Sequence, residues 1–463
     1  MADAKKIAVI GLDCAPPELV FDRWRDGLPC LRSLIADGLW GKLHSVTPPI
    51  TVPAWSCMMS GKDPGELGIY GFRNRKDYSY DGLTIANSSA VREQRVWDIL
   101  SRSGKKVIVM GVPGTYPPSR VNGCMIGCFL TPNSDAPYTY PPELKPELES
   151  KFGPYQMDVK NFRSEDKRPI LDHIYEMTNQ HFAMAEHLVS SRDWDFFMMV
   201  EMGTDRIHHA FWKFFDSEHF KYVPGNQFED AIHAYYRHLD GKISSLLQLL
   251  GNETTVFVVS DHGAKKMEGG ICVNEWMKSE GYLSLRQSVD KPTPLSKMQI
   301  DWSKTKAWGE GGYYSRIFLN VKGREPQGVI DPANYESVRD EIKAKLEAMQ
   351  DHEGKPLGTR VFKPQEVYRS VRGIPPDLIV YFGNLTWRSV GSMGMGGIYT
   401  FENDTGPDDA NHAEYGIFIL RDPGRKDGRQ LDGLRIFDVS ATILDRFGMT
   451  VPPDMQGKPV PRS

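Results

Sequence analysis

The chain has 463 residues, a formal net charge of −4 and a pI near 6.3. Hydrophobic residues make up 40% and charged residues 25%, an ordinary globular balance that argues neither for duplex nucleic acid nor for an anionic membrane as partner. The length suits one large α/β domain, or such a core with a smaller inserted lobe.

The apolar run K-K-I-A-V-I-G-L, residues 5–12, is too short for the apolar stretch of an export signal and ends in Asp13, so it reads as a buried strand. No run reaches membrane-spanning length. The six cysteines, Cys14, Cys30, Cys57, Cys124, Cys128 and Cys272, are scattered in mostly apolar settings. They read as buried thiols rather than a disulfide frame, and a cytoplasmic enzyme is the expectation.

A helix pattern closed by Gly38 and a strand at G-K-L-H-S-V follow. Next comes T-P-P-I-T-V-P-A-W-S-C-M-M-S-G, residues 47–61, where Thr51 precedes Pro53 and a short apolar run. That arrangement starts a helix, with the Thr51 hydroxyl where backbone N–H groups and the dipole favour negative charge. The glycines of 61–71 make a loop. The amphipathic helix V-R-E-Q-R-V-W-D-I-L leads to the strand V-I-V-M-G-V-P. This alternation is the mark of a large, mostly parallel, doubly wound sheet.

Residues 131–170, rich in Pro and Tyr, form an excursion from the sheet, with a helix at about 169–190 after it. W-D-F-F-M-M-V-E-M-G is a central strand, F-E-D-A-I-H to Gly251 a long amphipathic helix, and T-T-V-F-V-V-S-D-H-G the clearest strand of all. A core over 1–300, an inserted α+β lobe and substrate loop over 301–400, and core completion over 401–463 are expected. No repeat or low-complexity tract is visible.

Three strands run into acidic residues: Asp13, Asp205 and the pair Asp261-His262. In an open α/β sheet, ligands bind beyond the carboxyl ends of the strands, so these groups should gather at one edge. Asp205 and His209 are spaced i, i+4, which puts both on one helix face, able to hold one metal ion. His208 points elsewhere. His412 immediately precedes another strand. A single Asp in such a place is by default a turn or cap residue, and Thr51 by default a helix cap. The set as a whole shifts that balance. Asp and His donors without thiolates suit Zn²⁺, or Mn²⁺ less tightly.

The series Asp13, Thr51-x-Pro53, Asp205-x-x-x-His209, Asp261-His262-Gly263 and His412 resembles the alkaline phosphatase superfamily, in particular its type I phosphodiesterase and nucleotide pyrophosphatase branch. The resemblance runs over nearly the whole chain and implies an alkaline phosphatase-like core. It implies two divalent metal ions, one held by Asp205, His209 and His412, the other by Asp13, Asp261 and His262, with Thr51 as nucleophile at the second. The implied activity is cleavage of a small phosphodiester or pyrophosphate through a phospho-threonine. Two metals clamp the attacking and leaving oxygens of such a displacement, and the Val52 N–H is a candidate donor to a non-bridging oxygen.

One departure stands out. The branch often carries an Asn about twenty residues after the nucleophile, and here Phe72 stands near that place. Arg73 or Asn74 is the expected replacement as a substrate-binding group. An Arg favours a more highly charged phosphoryl group, which makes a phosphomonoesterase the alternative. A sulfatase is rejected because T-V-P-A-W has Thr first and Trp last, a dinucleotide site because the first strand leads to G-L-D-C-A-P. A cofactor-independent phosphoglycerate mutase would use a serine and a larger inserted domain. Lys265 and Lys266 read as surface, Trp55 as core. Tyr313, Tyr314, Trp387 and Tyr399 are aromatic groups for stacking or for lobe packing. Oligomeric state is not legible.

Overall fold

The computed structural model describes residues 3–462. Seven strands build the middle of one large sheet: β1 Lys6–Leu12, β2 Leu39–His44, β3 Val107–Met110, β4 Gly123–Ile126, β5 Phe196–Glu201, β6 Thr254–Val259 and β7 Tyr415–Arg421. Their order is β2-β7-β6-β1-β5-β3-β4, with short strands added at both edges. From β6 to β4 all pairs are parallel, and β7 runs antiparallel to both β6 and β2. β5 and β6 are buried at every position, which is why they read as unbroken apolar runs rather than alternating ones.

Helix α1, Thr51–Ser60, is buried along its whole length and packs against α5, Phe437–Arg446. A second group consists of α2 Lys167–Ser191, α3 Gly203–Phe215 and α4 Ala231–Leu250, packed on one another. In α4 the buried residues Ile232, Tyr235, Tyr236, Leu239, Ile243, Leu246 and Leu250 recur at helical spacing. Buried Asp240 on the same face accepts from Cys30 N and Leu31 N at 2.9 and 2.8 Å, satisfying the open start of helix Pro29–Asp37.

A smaller antiparallel sheet orders Ala307–Glu310, Ser315–Leu319, Leu378–Tyr381 and Arg360–Phe362, accompanied by helix Tyr335–Glu347. Its buried cluster begins at Ile271, ahead of residue 301, because Gly269–Cys272 pairs with Trp387–Val390 and Tyr399–Thr400. A third cluster joins this lobe to the site: Ile50, just before α1, packs with Tyr70, Tyr314, Tyr368 and Tyr381. The excursion at 131–170 holds a helix, Leu144–Phe152, and the edge strand Thr139–Tyr140. All six cysteines are free thiols.

Candidate metal centre

The register of the sheet brings three strand ends level. Leu12 of β1 lies beside Glu201 of β5, and Gly11 beside Val259 of β6. The residues that follow therefore meet at one edge: Asp13, the start of α3, and Asp261-His262. Asp205 sits in the first turn of α3, where its carboxylate also suits the helix dipole.

Two sets of donor atoms result. Asp205, His209 and His412 converge with Cys14 in one, and Asp13, Asp261 and His262 in the other. All seven side chains are buried. In the first set His209 Nε2 lies 3.2 Å from Asp205 Oδ1 and 3.2 Å from His412 Nε2. In the second His262 Nε2 lies 3.2 Å from Asp261 Oδ2 and 3.7 Å from Asp13 Oδ1. The sets adjoin, since the His262 and His412 rings stack with centroids 3.9 Å apart.

Thr51 stands between helix start and donors. Ile50, with extended backbone, is the residue flanking α1, and no side chain caps it. The Thr51 hydroxyl is not spent as a cap; it lies 3.3 Å from His262 Nε2.

Each histidine is fixed from behind. His209 Nδ1 faces Asp408 Oδ1 at 2.8 Å and Ala410 O at 3.1 Å, His412 Nδ1 faces Pro49 O at 2.9 Å, and His262 Nδ1 faces Gly263 O at 3.1 Å. These oxygens accept, so each Nδ1 carries a proton and each Nε2 faces the centre. The carboxylates are held too. Trp55 Nε1 donates to Asp13 Oδ2 at 2.7 Å, and Arg206, clamped on Asp158 at 2.6 and 2.8 Å, donates to Asp205.

The electrostatics ask for positive charge. Asp13 is pushed well above the usual carboxylate range by burial and then by Asp205, and Asp261 by burial and then by Asp13. Buried Asp13 Oδ1 and Asp261 Oδ2 have no hydrogen-bond partner. Burial opposes charge on His209, yet Asp408 and Asp205 raise it to about 9. Burial lowers His262 to about 4, which leaves its Nε2 lone pair free at neutral pH. Unpartnered carboxylate oxygens beside bare imidazole nitrogens are a donor chemistry that fits divalent cations.

Thr51, Asp205 and His412 open on a cavity of about 420 Å³. Arg73 lines it, as do Arg163, Arg206, Arg316 and Arg388. Asn74 does not: its Oδ1 accepts from Tyr70 N and its Nδ2 donates to Gly71 O, so the turn consumes the amide that the sequence reading assigned to substrate. Val52 is buried in the first turn of α1, where N–H groups have no intrahelical acceptor. Lys265 donates to Asn384 O and Lys266 pairs with Glu218, both outside the cavity wall. Tyr313 stacks on His412 and lines the cavity with Tyr314, while Trp387 packs in the lobe cluster with Tyr399 against it. His208 faces Tyr236.

Residues 7–408 match the family model of type I phosphodiesterases and nucleotide pyrophosphatases. The chain belongs to that family. No curated protein matches it by sequence. Its fold is that of solved structures across almost the full length. Human ectonucleotide pyrophosphatase/phosphodiesterase 5 aligns at 13% identity and a TM-score of 0.56 over 98% of this chain and 97% of its own. An inactive form of the murine enzyme in complex with AMP gives 12% identity and 0.57 over 97% and 96%. Phosphonoacetate hydrolase from Sinorhizobium meliloti 1021, in complex with phosphonoacetate, gives 15% and 0.60 over 96% of each. The architecture is thus alkaline phosphatase-like, and the family's activity makes the protein a phosphodiesterase/pyrophosphatase-type hydrolase; the family is metal-dependent, and the two donor sets above are candidate metal ligands in this chain.

In this type I phosphodiesterase family member, sequence reasoning missed the supporting layer: Asp408, Arg206, Arg163, the Trp55 indole N–H and the Cys14 thiol. Arg206 was signalled only by following Asp205, and Asp408 only by the acidic pair ahead of His412. Cys14 takes a left-handed backbone (φ 64°), and its thiol donates to Gly263 O at 3.4 Å. Among the described residues no helix is long and apolar enough to cross a membrane.

Proposed function

We propose that this protein hydrolyses small phosphodiesters or pyrophosphates by way of a phospho-threonine at Thr51, in a site built for two divalent cations. The observation that carries the reading is the Thr51 hydroxyl, uncapped and 3.3 Å from His262 Nε2, at a helix start between two sets of buried donors. Asp205, His209 and His412 would hold one cation, Asp13, Asp261 and His262 the other; zinc suits these donors, manganese less tightly. Bound there, such ions supply Lewis-acid stabilisation of the attacking and leaving oxygens.

The chain's own groups do the rest. The α1 dipole and the N–H of Val52 favour charge at Thr51 Oγ1 and on a non-bridging oxygen. Thr51 Oγ1 releases its proton to solvent and forms its bond to phosphorus as the bond to the leaving oxygen breaks, and that oxygen takes up a proton from solvent. Water then attacks the phospho-threonine, the Thr51 O–P bond breaks, and the hydroxyl is restored. Trp55, Arg206 and Asp408 keep Asp13, Asp205 and His209 in place throughout. AMP in the murine relative and phosphonoacetate in the bacterial one are small anionic phosphorus compounds, in keeping with this reading.

The arginine-lined wall supports a second reading, a phosphomonoesterase, because a dianionic phosphoryl group gains more from such cations. Rates on bis-p-nitrophenyl phosphate against p-nitrophenyl phosphate separate the two. Thr51→Ala should abolish turnover while the protein still binds two metal ions per chain; full activity in that variant defeats the proposal.

A further inference from the structure

The cavity over Thr51 sets five arginines against two carboxylates, Asp205 and Glu310. Several of the arginines are engaged. Arg206 serves Asp158 and Asp205, Arg163 donates to Asp408 Oδ2 at 3.2 Å and to the Tyr313 hydroxyl at 2.7 Å, and Arg316 donates to the Arg73 carbonyl. Arg388 is different. It is 4% exposed, yet neither its Nε nor its Nη1 has a hydrogen-bond partner.

The carboxylates near Arg388 do not complete it. Asp408 Oδ2 is 3.7 Å away and already accepts from Arg163 and Tyr313, and Asp404 Oδ1 is 4.0 Å away. Burial pushes its pKa below the ordinary arginine value, against the pull of Asp408. A buried guanidinium short of acceptors is costly unless an anion meets it, and this one borders a cavity that also holds the Thr51 hydroxyl. The planar fork of arginine matches a carboxylate or phosphate better than any neutral group.

We infer that the cavity accepts phosphate esters carrying a second anionic group, of carboxylate or phosphate type, and that Arg388 is the residue that selects it. The inference rests on Thr51 as the reacting centre. It narrows the substrates to esters with at least two separated negative charges, and it sets neutral alkyl esters at a disadvantage.

The test compares kcat/KM of the full-length, metal-loaded protein on ethyl p-nitrophenyl phosphate and carboxymethyl p-nitrophenyl phosphate. The carboxylated ester should be preferred by about ten-fold or more, the scale of one good charge-assisted contact. In Arg388→Met the ratio should fall to near one, and in Arg388→Lys, which keeps the charge beside Asp404 and Asp408 should the methionine variant not fold, it should lie between. Equal rates in the wild type, or an undiminished ratio in either variant, overturn the assignment. Calorimetric titration with ethylphosphonate and phosphonopropionate, which also differ by one carboxylate, measures the same discrimination without turnover. If neither ester is hydrolysed, the Thr51 reading fails while this binding ratio still decides for or against Arg388.

Discussion

Trp55 Nε1 donates to Asp13 Oδ2 at 2.7 Å, one helical turn after Thr51 in the same helix. The helix that presents the hydroxyl thus also aims a carboxylate of the adjacent donor set. Positions i and i+4 share a helix face, so one rigid element fixes both groups relative to each other.

Removing the indole donor while keeping an aromatic ring should loosen that aim. Trp55→Phe is expected to weaken metal binding at the Asp13/Asp261/His262 set by about ten-fold or more, the usual scale for losing a hydrogen bond behind a ligand. Competition with a chelator of known affinity measures this, and a thermal melt checks that the fold persists. Wild-type affinity would contradict the role given to the indole.

Gly11 allows the indole its place. A Cβ there would meet Trp55 Cη2 at 2.5 Å and Val200 Cγ2 at 2.8 Å, all in the packed interior. Gly11→Ala should cost about 1–3 kcal/mol of stability, as overpacking does, and should weaken the same metal set by displacing Trp55. Urea unfolding gives the first number and the chelator titration the second.

Asp408 orients His209 through Nδ1 at 2.8 Å and anchors Arg163 and Tyr313. Asp408→Asn keeps the shape and removes the charge. Turnover should fall about 10- to 100-fold, with the metal content of the His209 set falling in parallel. Unchanged kinetics would show that His209 needs no such support.

His219 supplies a pH test away from the ligands. It is buried, its Nδ1 accepts from Lys221 N at 3.1 Å and its Nε2 faces Asp409 O at 3.2 Å, so the neutral ring fits. Burial lowers its pKa to about 4, against about 6.5 in an unfolded chain. Between those values the unfolded state binds more protons, so this residue's contribution to stability is present above about pH 6.5 and is lost as pH falls towards 4. In His219→Gln the dependence of unfolding free energy on pH across that window should flatten by up to one proton. An unaltered slope would contradict a neutral native ring.

Much of the candidate site was legible because strands of six or seven largely apolar residues run into acidic ones, and because register in a parallel sheet turns separate strand ends into one edge. Asp205 and His209 were legible from helical spacing alone. The supporting layer was not, since Trp55 meets Asp13 across 42 positions and Asp408 meets His209 across 199, and no local pattern carries such distances. Asn74 misled because a short polar side chain in a Gly-rich loop is as ready to bond its own turn as a ligand. The short strands Trp387–Val390, Tyr399–Thr400 and Ala410–Ala413 have two to four residues each, too few for a period to show.

The central claim is a covalent one, and it is tested most directly by stopping the reaction part-way. Bis-p-nitrophenyl phosphate is mixed with the metal-loaded protein, quenched in acid during turnover, and the peptide containing Thr51 is analysed by mass spectrometry. The account predicts a phosphoryl ester on Thr51 that is absent without substrate. An unmodified Thr51 throughout active turnover, with water attacking the ester directly, would contradict it.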